Sequence, residues 1–254
     1  MRRLASRAKR GLLSFRVVTI GAGPAAGLRI GLRHASADYG PGTNELPVQL
    51  AFRDMIEPGQ TVFDVGSNVG FFAILAARLV GPTGSVHAFE AVPACAKALS
   101  RNAARNGFTN VTVHAVAVGD RQGEIELLQG RHPGGATTSQ ADRPQSYTGS
   151  IVVPVVALDV MIAEAELPVP DFVKIDVEGA EPQVLAGMEV TLAEASPAVL
   201  CELDDPTDEG AAAKVDRVRQ TLQRHGYHVE ELDRSYEDSR SRVVHLLAVA
   251  DRAG

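Results

Sequence analysis

Short apolar runs alternate with stretches of helical periodicity from residue 60 onward. Apolar residues that recur every three or four positions predict amphipathic helices, and short apolar runs between turn residues predict strands. The predicted strands cover residues 61–65, 85–90, 111–115, 125–129, 152–158, 172–177, 198–202, 228–232 and 245–250. The predicted helices cover residues 70–80, 93–106, a short stretch after 158, 181–195 and 211–225. Because parallel neighbours need a crossover connection, this alternation predicts an α/β fold with a mostly parallel sheet.

Two connections depart from this alternation. The last two predicted strands are joined by the loop DRSYEDSRSR without a helix, which predicts an antiparallel hairpin at the sheet edge. Residues 130–150 form a long polar stretch rich in Gly, Pro, Ser and Thr. Long loops inside compact domains tend to be functional. We therefore consider His132 a candidate base, and the small, hydroxylated segment Gly134–Ser139 a candidate lid over a polar acceptor.

Two glycine-rich segments compete for the role of nucleotide loop. The first, RVVTIGAGPAAGLRI at Arg16–Ile30, carries its glycines within Gly21–Gly27. A dinucleotide fingerprint also needs a following helix and a second strand that ends in an acid about 20 residues later. Here glycines and Pro41 interrupt any helix, and no strand precedes Glu45. We expect a strand–turn–strand or extended leader packed against the domain, with a nicotinamide or flavin site as the alternative.

The second segment, DVGSNVG at residues 64–70, has the strand before it, the helix after it and a second strand ending in Glu90. Gly66 is predicted to let the backbone approach a ligand, and Gly70 to let the helix pack close to the strand. The Glu90 carboxylate can accept hydrogen bonds from both hydroxyls of a ribose. Asp64, at the mouth of the loop, would repel a pyrophosphate and attract an ammonium group.

These charges fit S-adenosylmethionine, which has a ribose diol, an ammonium group, a carboxylate and no phosphate. We expect free N–H groups of Ser67, Asn68 and Val69 to bind the carboxylate, because a helix N-terminus favours anions. Asp64 would then act near the ammonium group, and Glu90 would bind the ribose.

The segment FVKIDVEGAE at residues 172–181 supplies candidate chemistry at the end of a central strand. Strand alternation places Lys174 and Asp176 on one side. Asp176 is the candidate base or acceptor-orienting group, and Lys174 is its charge partner, with a structural ion pair as the alternative. Glu178 is a candidate for acceptor contact or helix-start electrostatics, and Glu202 ends the next strand. Asp176 and Glu202 could share a divalent metal, but an acidic rim that binds hydroxyls is favoured, so no metal ligand is assigned.

Composition adds an uneven charge to this picture. The 254 residues carry a formal net charge of −6, which gives no indication of nucleic-acid binding. All the charged residues before Asp38 are basic: Arg2, Arg3, Arg7, Lys9, Arg10, Arg16, Arg29 and Arg33. We therefore predict a basic arm and leader over residues 1–45 and the main domain over residues 46–254. A solvated terminus is the favoured interpretation of the arm, with peripheral membrane contact as the alternative.

Cysteine and histidine positions exclude the common metal motifs. Cys95 and Cys201 are far apart, and the seven histidines have no zinc spacing. No 18-residue apolar run is present, and Arg16 interrupts the basic, apolar start that would resemble a signal peptide. The default expectation is a cytoplasmic protein.

Three segments resemble the FkbM-type methyltransferases, a family of class I S-adenosylmethionine-dependent enzymes: DVGSNVGFFAILAARLVGPTGSVHAFEAVP, NGFTNVTVHAVAVGD and DFVKIDVEGAEPQVLAGM. The resemblance covers about residues 45–250, and KIDVEGAE is its most specific part. It implies a Rossmann-like fold, with a seven-stranded, mostly parallel sheet and an antiparallel last strand. It also implies methyl transfer, usually to oxygen, on sugars or other natural-product hydroxyls.

The chain departs from the family pattern at three points near the expected cofactor. The family commonly has Ala where Ser67 stands and Pro where Ala91 stands. Many class I enzymes also place an acid near the adenine, where this chain has an apolar run that contains Val116 and Ala117. We therefore expect Ala91, Val116 and Ala117 to hold the adenine by apolar and backbone contacts, with Asp120 as the nearest acid.

The sequence therefore predicts O-methylation of a sugar, glycolipid or secondary metabolite with S-adenosylmethionine as cofactor. Two alternatives stay open. One is a nicotinamide- or flavin-dependent oxidoreductase that uses Gly21–Gly27, and the other is a non-catalytic module that binds S-adenosylmethionine.

Overall fold

A computed structural model describes residues 16–32, 39–129, 148–235 and 242–250, and the backbone of residues 137–138. The described strands are β1 (Val17–Thr19), β2 (Arg29–Gly31), β3 (Thr61–Val65), β4 (Ser85–Phe89), β5 (Val111–His114), β6 (Ala117–Val118), β7 (Gly123–Gln129), β8 (Thr137–Thr138), β9 (Gly149–Val156), β10 (Phe172–Ile175), β11 (Ala198–Asp205), β12 (Tyr227–Glu231) and β13 (Arg242–Ala250). The described helices are α1 (Leu46–Met55), α2 (Phe71–Val80), α3 (Pro93–Arg105), α4 (Leu158–Ala163), α5 (Glu181–Ala186), α6 (Glu189–Glu194) and α7 (Asp208–Arg224).

The central sheet has seven strands in the order β12-β13-β11-β10-β3-β4-β5. Strands β11, β10, β3, β4 and β5 pair in parallel, and β13 is antiparallel to both of its neighbours. The predicted Rossmann-like α/β fold and its antiparallel last strand are confirmed. The predicted terminal hairpin also forms, with β12 at the sheet edge and β13 inserted beside β11.

A second sheet, in the order β6-β9-β7-β8, was not predicted. Strands over residues 125–129 and 152–158 were expected here, but not their pairing into a separate sheet. Strand β7 begins at Gly123, β9 begins at Gly149, and the two pair antiparallel over seven residue pairs. Part of the stretch predicted as a long polar loop is therefore strand. His132 lies outside the described residues, as does Gly134–Ser139 apart from the two residues of β8.

The helix predicted over residues 181–195 is two short helices, α5 and α6. The Asp159 carboxylate accepts hydrogen bonds from the N–H groups of Val190 and Thr191 at 2.8 and 2.9 Å. These bonds stabilise the first turn of α6 as a separate helix. A Cβ on Gly187 would lie 1.9 Å from the Gly119 carbonyl oxygen, so the intervening backbone is held against a neighbouring loop. Helix α7 begins three residues before the prediction because Thr207 Oγ1 accepts the N–H of Gly210.

Apolar side chains pack on both faces of the central sheet. One face packs against α1, α2 and α3 around Phe52, Phe72 and Phe172, and the other includes Phe63 and Leu222. Alternate residues of each strand supply the two faces, as strand geometry requires. None of the helices in the described ranges is long and apolar enough to cross a membrane.

Residues 16–32 of the leader contain the hairpin of β1 and β2, which packs on the first of these faces. Ile20 and Ile30 are buried in the same cluster as Phe52. Asn102 Oδ1 accepts the N–H of Gly31 at 2.8 Å, and Asn106 bonds both backbone groups of Arg29 at 2.8 Å. The division of the chain after residue 45 stays a prediction. Residues 1–15 lie outside the described residues, so membrane contact by the basic arm also stays a prediction.

Candidate active site

A cavity of about 400 Å³ lies at the carboxyl ends of β3, β4, β10 and β11. Open α/β sheets bind their ligands at this edge. Part of its lining comes from the loop after β3, the residues after β4, and strands β6, β7 and β9. Further lining comes from the loop between β6 and β7, the turn after β10 with Gln183 of α5, the end of β11, and two residues ahead of α1, Tyr39 and Glu45.

The loop Gly66–Gly70, the cavity loop, bends back onto the end of β4. The N–H groups of Gly66 and Ser67 both donate to the Phe89 carbonyl at 3.0 Å, and the Asn68 N–H donates to Glu90 Oε2 at 2.7 Å. The prediction that Ser67 and Asn68 offer free N–H groups is therefore wrong, because protein acceptors already use them. Ser67 and Val69 are buried and do not line the cavity, whereas Gly66 and Asn68 do.

The glycines of the cavity loop are required by close contacts with the protein. Gly66 has φ of +82°, and a Cβ there would lie 1.7 Å from the Asp176 carbonyl oxygen. Gly70 would place a Cβ 2.7 Å from Leu99 on α3. Gly70 was predicted to allow close packing of its helix on a strand, but its close neighbour is a side chain of α3.

Glu90 ties the cavity loop to the start of α3. Its Oε2 accepts the Asn68 N–H, and its Oε1 accepts the Val92 N–H, each at 2.7 Å. Burial raises the pKa of Glu90 to about 7, although these two N–H groups act in the opposite direction. Glu90 also lines the cavity, so a carboxylate is fixed where a ribose contact was predicted.

Asp64 lies deeper than predicted. Its side chain is fully buried, it does not line the cavity, and its carboxylate oxygens have no hydrogen-bond partner among the described residues. Burial raises its pKa to about 6, and Lys174, its partner in the β3–β10 register, acts in the opposite direction. Asp64 is therefore beneath the cavity loop and not at its mouth, and direct contact with a ligand ammonium group has no support in this geometry.

Apolar residues form the wall beyond Glu90, as predicted for an adenine pocket. Ala91, Val116 and Ala117 all line the cavity, and Asp120 joins them. Asp120 is paired with the adjacent Arg121 at 3.3 Å, and both side chains are largely exposed.

Lys174 and Asp176 form the predicted pair at the end of β10. Lys174 Nζ lies 2.8 Å from Asp176 Oδ2 and 5.0 Å from the centre of the Phe72 ring. Lys174 is 1% exposed. Burial alone would lower its pKa, but Asp176 and Asp64 outweigh it and the pKa is raised. The ammonium group therefore stays charged and holds Asp176, which lines the cavity, in one position.

The turn after β10 contributes two further glutamates with different surroundings. Glu178 has a left-handed backbone with φ of 54° and lines the cavity. Burial, followed by the charge of Asp176, raises its pKa to about 8. Glu181 is buried, and its Oε1 accepts the N–H of Gly179 at 2.9 Å. Glu181 therefore stabilises the turn that positions Glu178.

Glu202 lines the cavity and contacts His245, a residue that the sequence did not identify as functional. His245 Nε2 lies 2.8 Å from Glu202 Oε2, because the two residues face each other in the antiparallel register of β11 and β13. Tyr39 and Glu45 line the same end, and Tyr39 packs 4.9 Å from the Phe71 ring. Only the pairing of β11 with β13 could have identified His245, and sequence periodicity does not give that register.

The structure brings together a different group of potential metal ligands from the Asp176–Glu202 pair considered in the sequence. Among the residues that the structure describes, donor atoms of Glu45, Glu202 and His245 lie within 4.8 Å of one another, and Asp176 is not in this group. Two of these donors already bond each other, and nothing beyond proximity indicates an ion.

Comparisons with known proteins agree with this geometry. A family model described as "Methyltransferase FkbM domain" matches residues 64–229. The chain is 34% identical over 161 residues to 31-O-demethyl-FK506 methyltransferase FkbM of Streptomyces tacrolimicus, over 53% of this chain and 61% of that protein. It is 28% identical over 132 residues to hexuronic acid methyltransferase AglP of Haloferax volcanii, over 52% of this chain and 51% of that protein. The matched part is thus less than two thirds of either relative.

Solved structures show the same fold at low sequence identity. Methyltransferase FkbM from Methylobacillus flagellatus KT superposes with a TM-score of 0.53 at 15% identity, over 79% of this chain and 50% of that chain. Trm5b from Pyrococcus abyssi superposes with a TM-score of 0.53 at 15% identity, over 93% of this chain and 56% of that chain.

Proposed function

Because the chain belongs to the FkbM methyltransferase family, we propose that it transfers a methyl group from S-adenosylmethionine to a hydroxyl of an acceptor. One observation carries this proposal. A single cavity joins the cavity loop and Glu90 to a second group of carboxylates, Asp176, Glu178 and Glu202. The first group suits a nucleoside cofactor, and the second suits a hydroxylated acceptor.

The residues around Glu90 fit the cofactor. The cavity volume of about 400 Å³ is within the usual range of small-molecule sites. Asn68 lines the cavity, and its Oδ1 is buried without a hydrogen-bond partner among the described residues, which leaves an acceptor for a ligand N–H or O–H group. Ala91, Val116 and Ala117 offer an apolar surface for a base. When bound, S-adenosylmethionine would supply an electrophilic methyl group.

The residues after β10 and β11 would act on the acceptor. Asp176, held by Lys174, would orient the acceptor hydroxyl or take its proton, because removal of that proton makes the oxygen a better nucleophile. Lys174 would also stabilise negative charge that develops nearby. Glu178 would contact the acceptor from the turn, since it lines the cavity and Glu181 fixes the turn.

The charge of the cavity favours a neutral, hydroxylated acceptor. Among the described residues, one arginine and eight acids line it: Arg121, Glu45, Glu90, Asp120, Glu124, Glu126, Asp176, Glu178 and Glu202. Carboxylates accept hydrogen bonds from hydroxyls and repel anions. The two relatives are a 31-O-demethyl-FK506 methyltransferase and a hexuronic acid methyltransferase. For this chain we propose O-methylation of a neutral sugar, glycolipid or secondary metabolite in preference to an acidic sugar.

Calorimetric titration with S-adenosylhomocysteine tests the cofactor assignment. We expect the wild-type protein to bind it. Glu90→Ala should weaken binding roughly 100-fold, because the ligand and the N–H groups of Asn68 and Val92 all lose the carboxylate as their acceptor. Glu57→Ala, which removes an exposed glutamate outside the cavity, should bind as the wild type does. Clear binding of NAD with no binding of S-adenosylhomocysteine would overturn the proposal.

Methyl transfer separates an enzyme from a binding module. The protein is incubated with S-adenosylmethionine carrying a tritiated methyl group and a mixture of neutral methyl glycosides and other polyhydroxylated compounds. We expect label in an acceptor, and its loss in Asp176→Asn with S-adenosylhomocysteine binding retained. Label transfer that is indifferent to Asp176→Asn would remove Asp176 from the reaction. Binding without any transfer would favour the non-catalytic module.

A further inference from the structure

The Glu202–His245 pair lies at the acceptor side of the cavity. The function proposed above gives Glu202 no step of its own and does not use His245. Glu202 is the member that lines the cavity, and His245 lies behind it, only 2% exposed. The antiparallel register of β11 and β13 sets the two residues directly opposite each other. Their 2.8 Å contact is therefore fixed by two strands of the central sheet and not by a loop.

The second ring nitrogen of His245 also faces a polar group. Its Nδ1 lies 3.4 Å from Ser235 Oγ, in the segment between β12 and β13. With the Nε2 proton directed to Glu202, Nδ1 is left as an acceptor for the Ser235 hydroxyl. In this arrangement the Nε2–H group of His245 holds the Glu202 carboxylate in one orientation.

Asp176 and Glu202 have different partners, and this difference separates their roles. Asp176 is paired with Lys174, a fully buried ammonium group, at 2.8 Å. The Lys174 ammonium group therefore fixes the Asp176 carboxylate in position, as an orienting group requires. Within the described part of the chain, Glu202 forms no ion pair with a lysine or arginine, and its close partner is His245. Burial raises the pKa of Glu202 to about 7, with Asp176 as a further cause. A carboxylic acid whose pKa is near neutral is well suited to take a proton.

We propose that His245 is a positioning residue that holds Glu202 as the proton acceptor of the transfer, while Asp176 orients the acceptor hydroxyl. This inference rests on the proposed function. The bond between the acceptor oxygen and the methyl carbon forms as the carbon–sulfur bond breaks with its electron pair left on sulfur. The hydroxyl proton passes to Glu202 and from there to solvent.

Charged groups from several elements face Glu202 and set the range in which it can act. They are Lys174 on β10, Asp176 and Glu178 in the turn after it, His245 on β13, and Glu45 and Tyr39 ahead of α1. Asp176 and Glu45 raise the pKa of Glu202, and His245 lowers it. Removing the imidazole therefore moves the acidic limb of the rate–pH profile to higher pH.

The test compares two substitutions of His245 in the tritiated-methyl assay with neutral methyl glycosides. His245→Leu removes the donor, and His245→Gln keeps an N–H group near the Nε2 position. We expect His245→Leu to lower kcat by about 30-fold or more, with little change in the KM for S-adenosylmethionine. His245→Gln should keep most of the wild-type kcat. Glu202→Gln should lower kcat by at least as much as His245→Leu does. His228→Leu, on the exposed side of neighbouring β12, is the matched control.

Three results would overturn the inference. Wild-type kcat and an unchanged pH profile in His245→Leu would show that the imidazole does not position the base. Equal loss of kcat and of S-adenosylhomocysteine binding in both variants would show a structural role only. Stoichiometric Mn²⁺ binding that His245→Leu abolishes would assign these donors to an ion.

Failure of the proposed function gives a different result. The wild-type protein would then label none of the glycosides, with or without binding of S-adenosylhomocysteine, and the inference would fall with it. Transfer by the wild type that His245→Leu leaves intact removes the inference and leaves the proposed function standing.

Discussion

The leader loop (Gly21–Gly27) and the cavity loop (Gly66–Gly70) have similar glycine content but different surroundings. The leader loop joins two antiparallel strands of three residues each, whereas the cavity loop leads from a five-residue strand of the central sheet into a ten-residue helix. Only the cavity loop has a carboxylate fixed against its backbone, that of Glu90. Strand direction and the following helix, and not glycine content, therefore distinguish a ligand loop from a structural turn.

The leader loop contacts the segment that completes the cavity. The N–H of Gly21 donates to the Gly40 carbonyl at 3.0 Å, and a Cβ on Gly42 would lie 2.3 Å from the Ala22 carbonyl oxygen. That segment carries Tyr39 and Glu45 into the cavity lining. The leader thus reaches the proposed acceptor side through protein contacts, while the cavity loop lies at the proposed cofactor side.

Gly66→Ala should have the largest effect on this comparison. The new methyl group would lie 1.7 Å from the Asp176 carbonyl oxygen. A Cβ is fixed to its own backbone and the oxygen is a backbone atom, so neither can move away without a shift of the chain next to β3 or β10. We expect a loss of about 2–5 kcal/mol in the free energy of unfolding, measured by chemical denaturation. Calorimetry should detect no binding of S-adenosylhomocysteine. A stable variant that still binds this ligand would show that the two loops are equally tolerant.

Glu90→Gln should have the next largest effect, confined to the cofactor side. The amide group would direct its NH₂ at one of the two N–H donors that now share the carboxylate. We expect S-adenosylhomocysteine binding to weaken roughly 10- to 100-fold. Glu57→Gln makes the same change at an exposed glutamate outside the cavity and serves as the control.

The same substitution should remove a pH dependence. Burial raises the pKa of Glu90 to about 7, and only the ionised carboxylate can accept hydrogen bonds from two ribose hydroxyls through both oxygens. Wild-type affinity should therefore rise between pH 6 and 8. Glu90→Gln should flatten this part of the profile. A slope that survives the substitution would have to come from Glu178 or Glu202 and would contradict the ribose assignment.

The sequence anticipates the parts of the site that depend on one strand and its turn. Glu90 follows from the strand–turn–helix–strand order, and the Lys174–Asp176 pair follows from strand alternation. Contacts between elements distant in the chain are not predictable in this way. His245 meets Glu202 only through the register of β11 and β13, and the N–H groups of Ser67 and Asn68 are used by residues 22 positions away in the chain.

Gln49→Ala should separate the leader loop from the cofactor side. The buried Gln49 amide donates to the carbonyls of Gly42 and Asn44 at 3.1 and 2.6 Å and accepts the N–H of Ala25 at 3.3 Å. Its removal should cost about 1–3 kcal/mol of unfolding free energy, because three backbone groups lose a partner. Binding of S-adenosylhomocysteine should change less than about threefold. A loss of binding as large as that of Glu90→Gln would mean that the leader supports the cofactor loop.

Gly27→Ala should have the smallest effect and isolates the reason for the first prediction. Gly27 has φ of +86°, close to the +82° of Gly66, but a Cβ there would meet nothing within 4 Å. Its cost is therefore backbone strain alone, about 1 kcal/mol in the free energy of unfolding, with unchanged binding of S-adenosylhomocysteine. Since the two glycines share a conformation, the difference between Gly66→Ala and Gly27→Ala measures the contact with Asp176. Equal losses of unfolding free energy in both variants would mean that glycine is needed at position 66 for its backbone conformation and not because of the close contact with Asp176.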